Sequence, residues 1–243
     1  MRLKLFFTLK TEEITIDYRR KFLSFFKKAL EDLGDNAIEK YYSNNISTKD
    51  YTFSVYFRGK FNKRIIVIED KEMVLNFSVF NMKDGIYFTN AFIGSVNKSF
   101  MFGNDNEITL KKVEIKNENE IRGSEGEFKI LSPIVVKERS DVKQNKDNYY
   151  IYNDENWLDI LKNNMKFQVK DKFEFDISKD IDELEIVAKE PFVKKTVVEN
   201  YGIKFQVTIG TIYMKGTRVL LDYLAKAGIG SKRSSGFGML ELM

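Results

Sequence analysis

Between residues 228 and 238 the chain reads Gly-Ile-Gly-Ser-Lys-Arg-Ser-Ser-Gly-Phe-Gly, and no other stretch restricts its fold as much. Two Gly-hydrophobic-Gly pairs, Gly228/Gly230 and Gly236/Gly238, flank an insert that carries Ser231, Lys232, Arg233 and Ser234. Glycine reaches positive φ and lets a backbone approach a neighbour or a ligand closely. A single glycine would serve a turn, so two pairs describe a loop held close to something. Exposed amides in such a loop can cradle an anion, and Lys232 and Arg233 would add charge where phosphates lie. The plainer reading is a loop that only turns the chain between a helix and a strand.

The segments before this loop fall into a repeated order. Residues 2–9 alternate as a strand with Leu3, Leu5, Phe7 and Leu9 on one face. Residues 17–33 predict a helix, with Tyr18, Phe22, Phe26 and Leu30 at i, i+4 spacing and Gly34 as its stop. Strands are predicted at 51–58, 65–68, 73–79 and 108–115, with a helix near 88–97 despite the strand propensity of Ile86-Tyr87-Phe88. That is close to a β-α-β-β-α-β, ferredoxin-like unit. After Arg122-Gly123-Ser124-Glu125-Gly126 a similar order restarts. Strands are predicted at 127–131, 134–138, 184–189 and 203–213, and helices at 157–167 and 217–226, with a polar loop or hairpin tip at 139–148. The expected fold is α+β, two tandem ferredoxin-like domains over 1–122 and 123–243.

Composition narrows the chemistry. The chain has 243 residues, no cysteine and no histidine, which removes disulfides and thiolate metal sites. Absent cysteines fit a reducing cytoplasm. No apolar run approaches the length of a membrane span, and the alternating start lacks the apolar run of a signal peptide. A net charge of +4 permits nucleic-acid binding without pointing to it. No P-loop, GxSxG, zinc spacing or RNP aromatic motif is present. The carboxylates Glu12/Glu13 and Asp180/Asp182/Glu183 are read as solvated surface, because nothing in the sequence gathers them. No metal and no cofactor is expected.

The spacing of the glycine loop resembles the C-terminal glycine-rich loop of the RAMP superfamily, and most closely the endoribonucleases that cut CRISPR repeat RNA (the "Cas six" type). Its flanks agree: Lys215-Gly216 leads into a helix-like run to Ala227, and Phe237-Gly238-Met239-Leu240-Glu241 closes as a strand. Met1-Arg2-Leu3-Lys4-Leu5 and Leu131-Ser132-Pro133-Ile134-Val135-Val136 give weaker support, so the resemblance spans the chain. It implies RRM-like domains with a basic groove for repeat RNA, closed by the glycine loop. It implies cleavage of precursor CRISPR RNA into guides without metal. The 2′-hydroxyl would attack the adjacent phosphate, giving 2′,3′-cyclic phosphate and 5′-hydroxyl ends. The rivals are a member that binds repeat RNA without cutting it, and a structural RAMP subunit of a CRISPR interference complex. Either a monomer or a homodimer is compatible, with no membrane partner.

Many members of the family use a histidine just after the first helix, helped in some by a tyrosine and a lysine. This chain has none, although members lacking it belong to the family's range. The corresponding stretch holds Tyr41, Tyr42 and Ser43. Tyr41, Tyr42 and Lys49, with Lys40 in reserve, are the candidate catalytic set, and their motivation is position alone. Unperturbed Tyr and Lys titrate near 10, so neither is a good base at neutral pH unless shifted. Adjacent tyrosines at a helix end are equally read as packing residues with wet hydroxyls. For RNA contact the candidates are Gly228, Gly230, Ser231, Lys232, Arg233, Ser234, Gly236 and Gly238, then Lys194, Lys195, Arg58 and Lys60. Arg19, Arg20, Lys27 and Lys28 on the first helix are read as solvated surface.

Overall fold

The structure is a computed structural model and describes residues 1–34, 37–42, 49–103, 105–138, 148–170 and 172–243. Contacts divide it into two compact units, Met1–Glu118 with Glu199–Ile203, and Asn119–Val198 with Lys204–Met243.

In the first unit the elements run β1 (Arg2–Leu9), β2 (Glu13–Thr15), α1 (Tyr18–Asp32), α2 (Ala37–Tyr42), β3 (Tyr51–Tyr56), β4 (Lys60–Asn62), β5 (Ile65–Val67), β6 (Glu72–Val79), α3 (Met82–Ile93), β7 (Ser99–Met101) and β8 (Glu107–Lys116). The main sheet has the order β3-β6-β1-β8-β7, and its β1, β3, β6 and β8 pairings are antiparallel. Numbering β1, β3, β6 and β8 as core strands one to four, their order is 2-3-1-4, that of the ferredoxin-like fold. Alternation does the work: Leu3, Leu5, Phe7 and Leu9 of β1 are buried, and Leu5 pairs with Leu75 and Phe53 with Phe77 across the sheet. Helix α1 buries Phe22, Phe25, Phe26, Ala29 and Leu30 against that face. The core is a phenylalanine cluster in which Phe26 meets Phe53, Phe77 and Phe92 at centroid distances of 5.1, 5.6 and 5.5 Å. Helix α3 begins earlier than its sequence pattern predicts. Asn81 sets the start, its Oδ1 accepting from the N–H groups of Lys83 (2.8 Å) and Asp84 (3.4 Å), and burial of Phe88 and Phe92 overrides local strand propensity.

The second unit runs β9 (Glu125–Ile134), β10 (Val136–Glu138), β11 (Asn148–Tyr150), α4 (Trp157–Val169), α5 (Ser178–Glu183), β12 (Glu185–Val187), β13 (Val193–Asn200), β14 (Ile203–Lys215), α6 (Arg218–Ala227) and β15 (Leu240–Leu242). The sheet order is β12-β14-β9-β15, with β13 also on β14, while β10 and β11 form a separate pair. Taking β9, β12, β14 and β15 as core strands, the order is again 2-3-1-4. The chain is therefore two tandem ferredoxin-like domains. The strand predicted at 127–131 is longer, continuing through Pro133. The polar stretch predicted at 139–148 lies outside the described residues except for Asn148, which starts β11. No described helix is long and apolar enough to cross a membrane.

Candidate functional site

The glycine loop leaves the C-terminus of α6 and returns through β15. Gly228, Gly230, Gly236 and Gly238 all have positive φ, and all are buried. At Gly238 a Cβ would lie 1.9 Å from the carbonyl oxygen of Ile229, and at Gly230 2.5 Å from that of Val135. Those distances explain the glycines: the backbone packs against itself and against the end of β9. The amides are used in the same way. Gly228 N–H donates to Leu224, Ile229 to Gly238, Ser231 to Val135, Gly236 to Arg233 and Gly238 to Pro133. An open row of anion-binding amides, as the glycine spacing suggested, is not what these groups form. Helix α4 buttresses the loop from below, with Gln168 Nε2 donating to the Gly228 carbonyl (2.9 Å) and Ser231 Oγ to Asn164 Oδ1 (2.7 Å).

The loop's two cations differ. Arg233 is only 6% exposed, and its Nη1 donates to the Ala227 carbonyl (2.7 Å). Ala227 ends α6, so the guanidinium satisfies one of the carbonyls that a helix leaves without a partner and meets the negative end of its dipole. Lys232 is half-exposed, with its ammonium 5.7 Å from the ring centroid of Phe205, which is itself stacked on Tyr149 at 4.4 Å. Ser234 is half-exposed within a short 3-10 turn. Lys194 and Lys195 are exposed on β13. In the first unit Arg58 is exposed, and Lys60 is exposed and paired with Glu69 at 2.5 Å.

The other candidate set lies at the C-terminal end of α2 and the start of β3. Tyr42 and Lys49 come together: the Lys49 ammonium sits 3.8 Å from the Tyr42 ring centroid. Lys27, projecting from α1, approaches the same ring at 4.9 Å. The Tyr42 hydroxyl is 3.1 Å from that of Tyr51. Burial, and then the like charge of Lys27, lowers the Lys49 pKa to about 8. Burial raises Tyr42 to about 12 against the opposing effect of its bond to Tyr51. Tyr51, fully enclosed, is raised well above the phenol range by burial and by Tyr42. These phenols therefore stay protonated at neutral pH, one donating to the other, while the Lys49 amine titrates within reach of neutral pH.

Tyr41 points elsewhere. It is 5% exposed, its ring lies 4.8 Å from that of Phe88, and burial followed by the neighbouring Asp84 carboxylate raises its pKa. The side chain of Lys40 and the whole of Ser43 lie outside the described residues. Lys27 and Tyr51 had no place among the sequence-derived candidates. The sequence reads Lys27 as solvated surface of α1 and places Tyr51 only at the start of a strand. Among the described residues no three His, Cys, Asp or Glu side chains gather into a group that could hold a metal ion.

A family model described as "CRISPR associated protein Cas6, C-terminal" matches residues 111–242. The chain belongs to this family. A solved structure described as "An RAMP protein binding different RNA substrates" superposes with a TM-score of 0.82 at 21% identity, over 100% of this chain and 99% of that one. Another, described as "Characterization of a Cas6-related gene from Pyrococcus furiosus", gives a TM-score of 0.84 at 19% identity, covering 100% and 98%. A third, "CRISPR associated protein Cas6", gives 0.75 at 18%, covering 100% and 99%. At these identities the likeness establishes the fold. No curated protein sequence matches the chain.

Proposed function

We propose that this protein binds CRISPR repeat RNA and cleaves precursor CRISPR RNA by attack of a 2′-hydroxyl on the adjacent phosphate. The observation that carries this reading is the pair of lysines on one tyrosine ring, Lys27 and Lys49 on Tyr42, with the Lys49 amine lowered to about 8. In-line cleavage needs a base for the 2′-O–H, a donor for the departing 5′-oxygen and positive charge on the phosphorane. In this assignment the neutral Lys49 amine takes the 2′ proton. The Lys27 ammonium stabilises charge on the phosphate oxygens. The protonated Tyr42 phenol, fixed by Tyr51, donates to the 5′-oxygen as its bond to phosphorus breaks. The products are a 2′,3′-cyclic phosphate and a 5′-hydroxyl. Lys232, Lys194, Lys195, Arg58 and Lys60 serve as phosphate contacts that hold the rest of the repeat, and the buried glycines with Arg233 shape the loop that presents Lys232 and its flanking serines.

A histidine-free chain in which burial raises the phenols of Tyr41, Tyr42 and Tyr51 also supports a second reading, a family member that binds repeat RNA and leaves it whole. The test is incubation of labelled repeat RNA in EDTA, with a ribose or a 2′-deoxyribose before the scissile bond. One discrete cut that vanishes with the deoxy substrate supports cleavage. Tight binding of intact RNA moves the protein to the second reading, and no binding refutes both.

A further inference from the structure

Tyr201 and Gly202 make the two-residue turn between β13 and β14, and the segment Glu199–Ile203 belongs to the first unit. Tyr201 has φ +54° and Gly202 φ +75°. This is the sign pattern of a type I′ turn, whose first position favours Asn or Gly because other side chains resist positive φ. A tyrosine there is a strained choice. Its surroundings hold it in place. The Tyr201 N–H donates to Asp17 Oδ1 (3.3 Å), Asp17 Oδ2 lies 3.6 Å from Arg20 Nε, and the Arg20 guanidinium stands 5.5 Å from the Tyr201 ring centroid. The residue stays 52% exposed. Its phenol is also near enough to those of Tyr42 and Tyr51 to add to the rise that burial causes in both.

Helix α1 links this turn to the lysine pair. Arg20 and Lys27 are two turns apart on one stripe, about 10 Å along the axis. Each covers a tyrosine ring, Arg20 over Tyr201 and Lys27 over Tyr42. Cations and aromatic faces thus lie side by side along α1. That arrangement grips single-stranded nucleic acid, because every base can stack on a ring and every phosphate can meet a cation. A bulky tyrosine at a positive-φ position where the turn itself favours asparagine, kept half in solvent beside Arg20, presents an aromatic face that the turn does not require.

We propose that Tyr201, backed by Arg20, is a stacking platform for one unpaired base of the bound RNA, and that Arg20 and Lys27 carry the adjoining phosphates along α1. This rests on the repeat-RNA reading above and adds a base contact to it. The test uses the full chain, cognate repeat RNA, and the same RNA carrying 2-aminopurine at successive unpaired positions. Tyr201→Asn supplies the side chain that the turn prefers, so its Tm should stay level or rise by about 2 °C. Its Kd for repeat RNA should nevertheless rise about tenfold. Wild type and Tyr201→Phe should quench 2-aminopurine at one position that Tyr201→Asn leaves bright. Arg20→Gln should lower the salt dependence of binding by about one ion, while Tyr201→Asn leaves that slope unchanged. Binding by Tyr201→Asn within about twofold of wild type, with the quench intact, overturns the platform while leaving the repeat-RNA reading standing. Failure of the wild-type protein to bind repeat RNA overturns both.

Discussion

The glycine loop and the tyrosine–lysine cluster treat their polar groups in opposite ways. In the loop, amides, carbonyls and the Arg233 guanidinium bond to one another and to α4, and the glycines let the backbone close on itself. In the cluster, two ammoniums share one ring and a lysine is held at a lowered pKa by burial beside a like charge. A region that has satisfied its own groups is built for stability. One that holds two cations against partly buried rings, with a pKa shifted by burial, is a candidate for an anionic ligand. The motif most visible in the sequence therefore shapes the fold, and the proposed chemistry is assigned to residues with no motif at all.

The sharpest way to break this contrast is Gly238→Ala. With φ +69° and a carbonyl oxygen 1.9 Å from the new Cβ, the loop cannot close as it does. The substitution should cost about 3 kcal/mol or more, seen as a large loss of the urea midpoint or as insoluble protein. A variant with wild-type stability would mean that the loop has freedom its packing denies. Next in size is Arg233→Ala. Loss of a buried, charge-assisted bond to the end of α6 should cost about 2 kcal/mol, measured by denaturation, while RNA affinity well below the Tm stays near wild type. Lys232→Ala should do the reverse, changing stability by less than about 0.5 kcal/mol and lowering the salt slope of RNA binding by about one.

The two adjacent tyrosines sharpen the comparison further. Tyr42→Phe removes the hydroxyl bonded to Tyr51 and should cost about 1 kcal/mol, whereas Tyr41→Phe should cost less. Only Tyr42→Phe should slow cleavage, because Tyr41 faces Phe88 and Asp84. Lys49→Met should act in the opposite direction. A lysine whose folded pKa lies near 8 and whose unfolded value is 10.5 binds its proton less tightly in the fold. The native chain is thus penalised fully below about 8, and its stability recovers as pH rises from there towards 10.5. Lys49→Met should therefore raise the Tm at pH 7, and the gain should shrink at pH 10.

The sequence made the order of elements readable where periodicity was long enough to show. The alternation of Leu3, Leu5, Phe7 and Leu9 and the i, i+4 rows of α1 placed β1 and α1 to within a residue or two. Three-residue strands such as β2, β4 and β7 span too little chain for any period to register. The start of α3 rested on a single side chain, Asn81, that hydrophobic patterning does not weigh. For the sites, glycine spacing marked the loop but not the direction its amides face. Position singled out Tyr42 and Lys49, yet their partners come from other elements: Lys27 from α1 and Tyr51 from β3. Tyr201 was invisible for the same reason in a stronger form, since it meets Asp17 across 184 residues of chain.

In the proposed mechanism Lys49 makes the proton transfer that a histidine would otherwise make. The most direct measurement is the single-turnover rate of repeat-RNA cleavage in EDTA from pH 6 to 10, for wild type and Lys49→Arg. Arginine keeps the charge but cannot give up a proton at these pH values. In that mechanism the wild-type rate climbs through about pH 8 and levels off, and Lys49→Arg binds the RNA but loses that rise along with most of its activity. A Lys49→Arg variant that cleaves at the wild-type rate with an unchanged pH profile would contradict it.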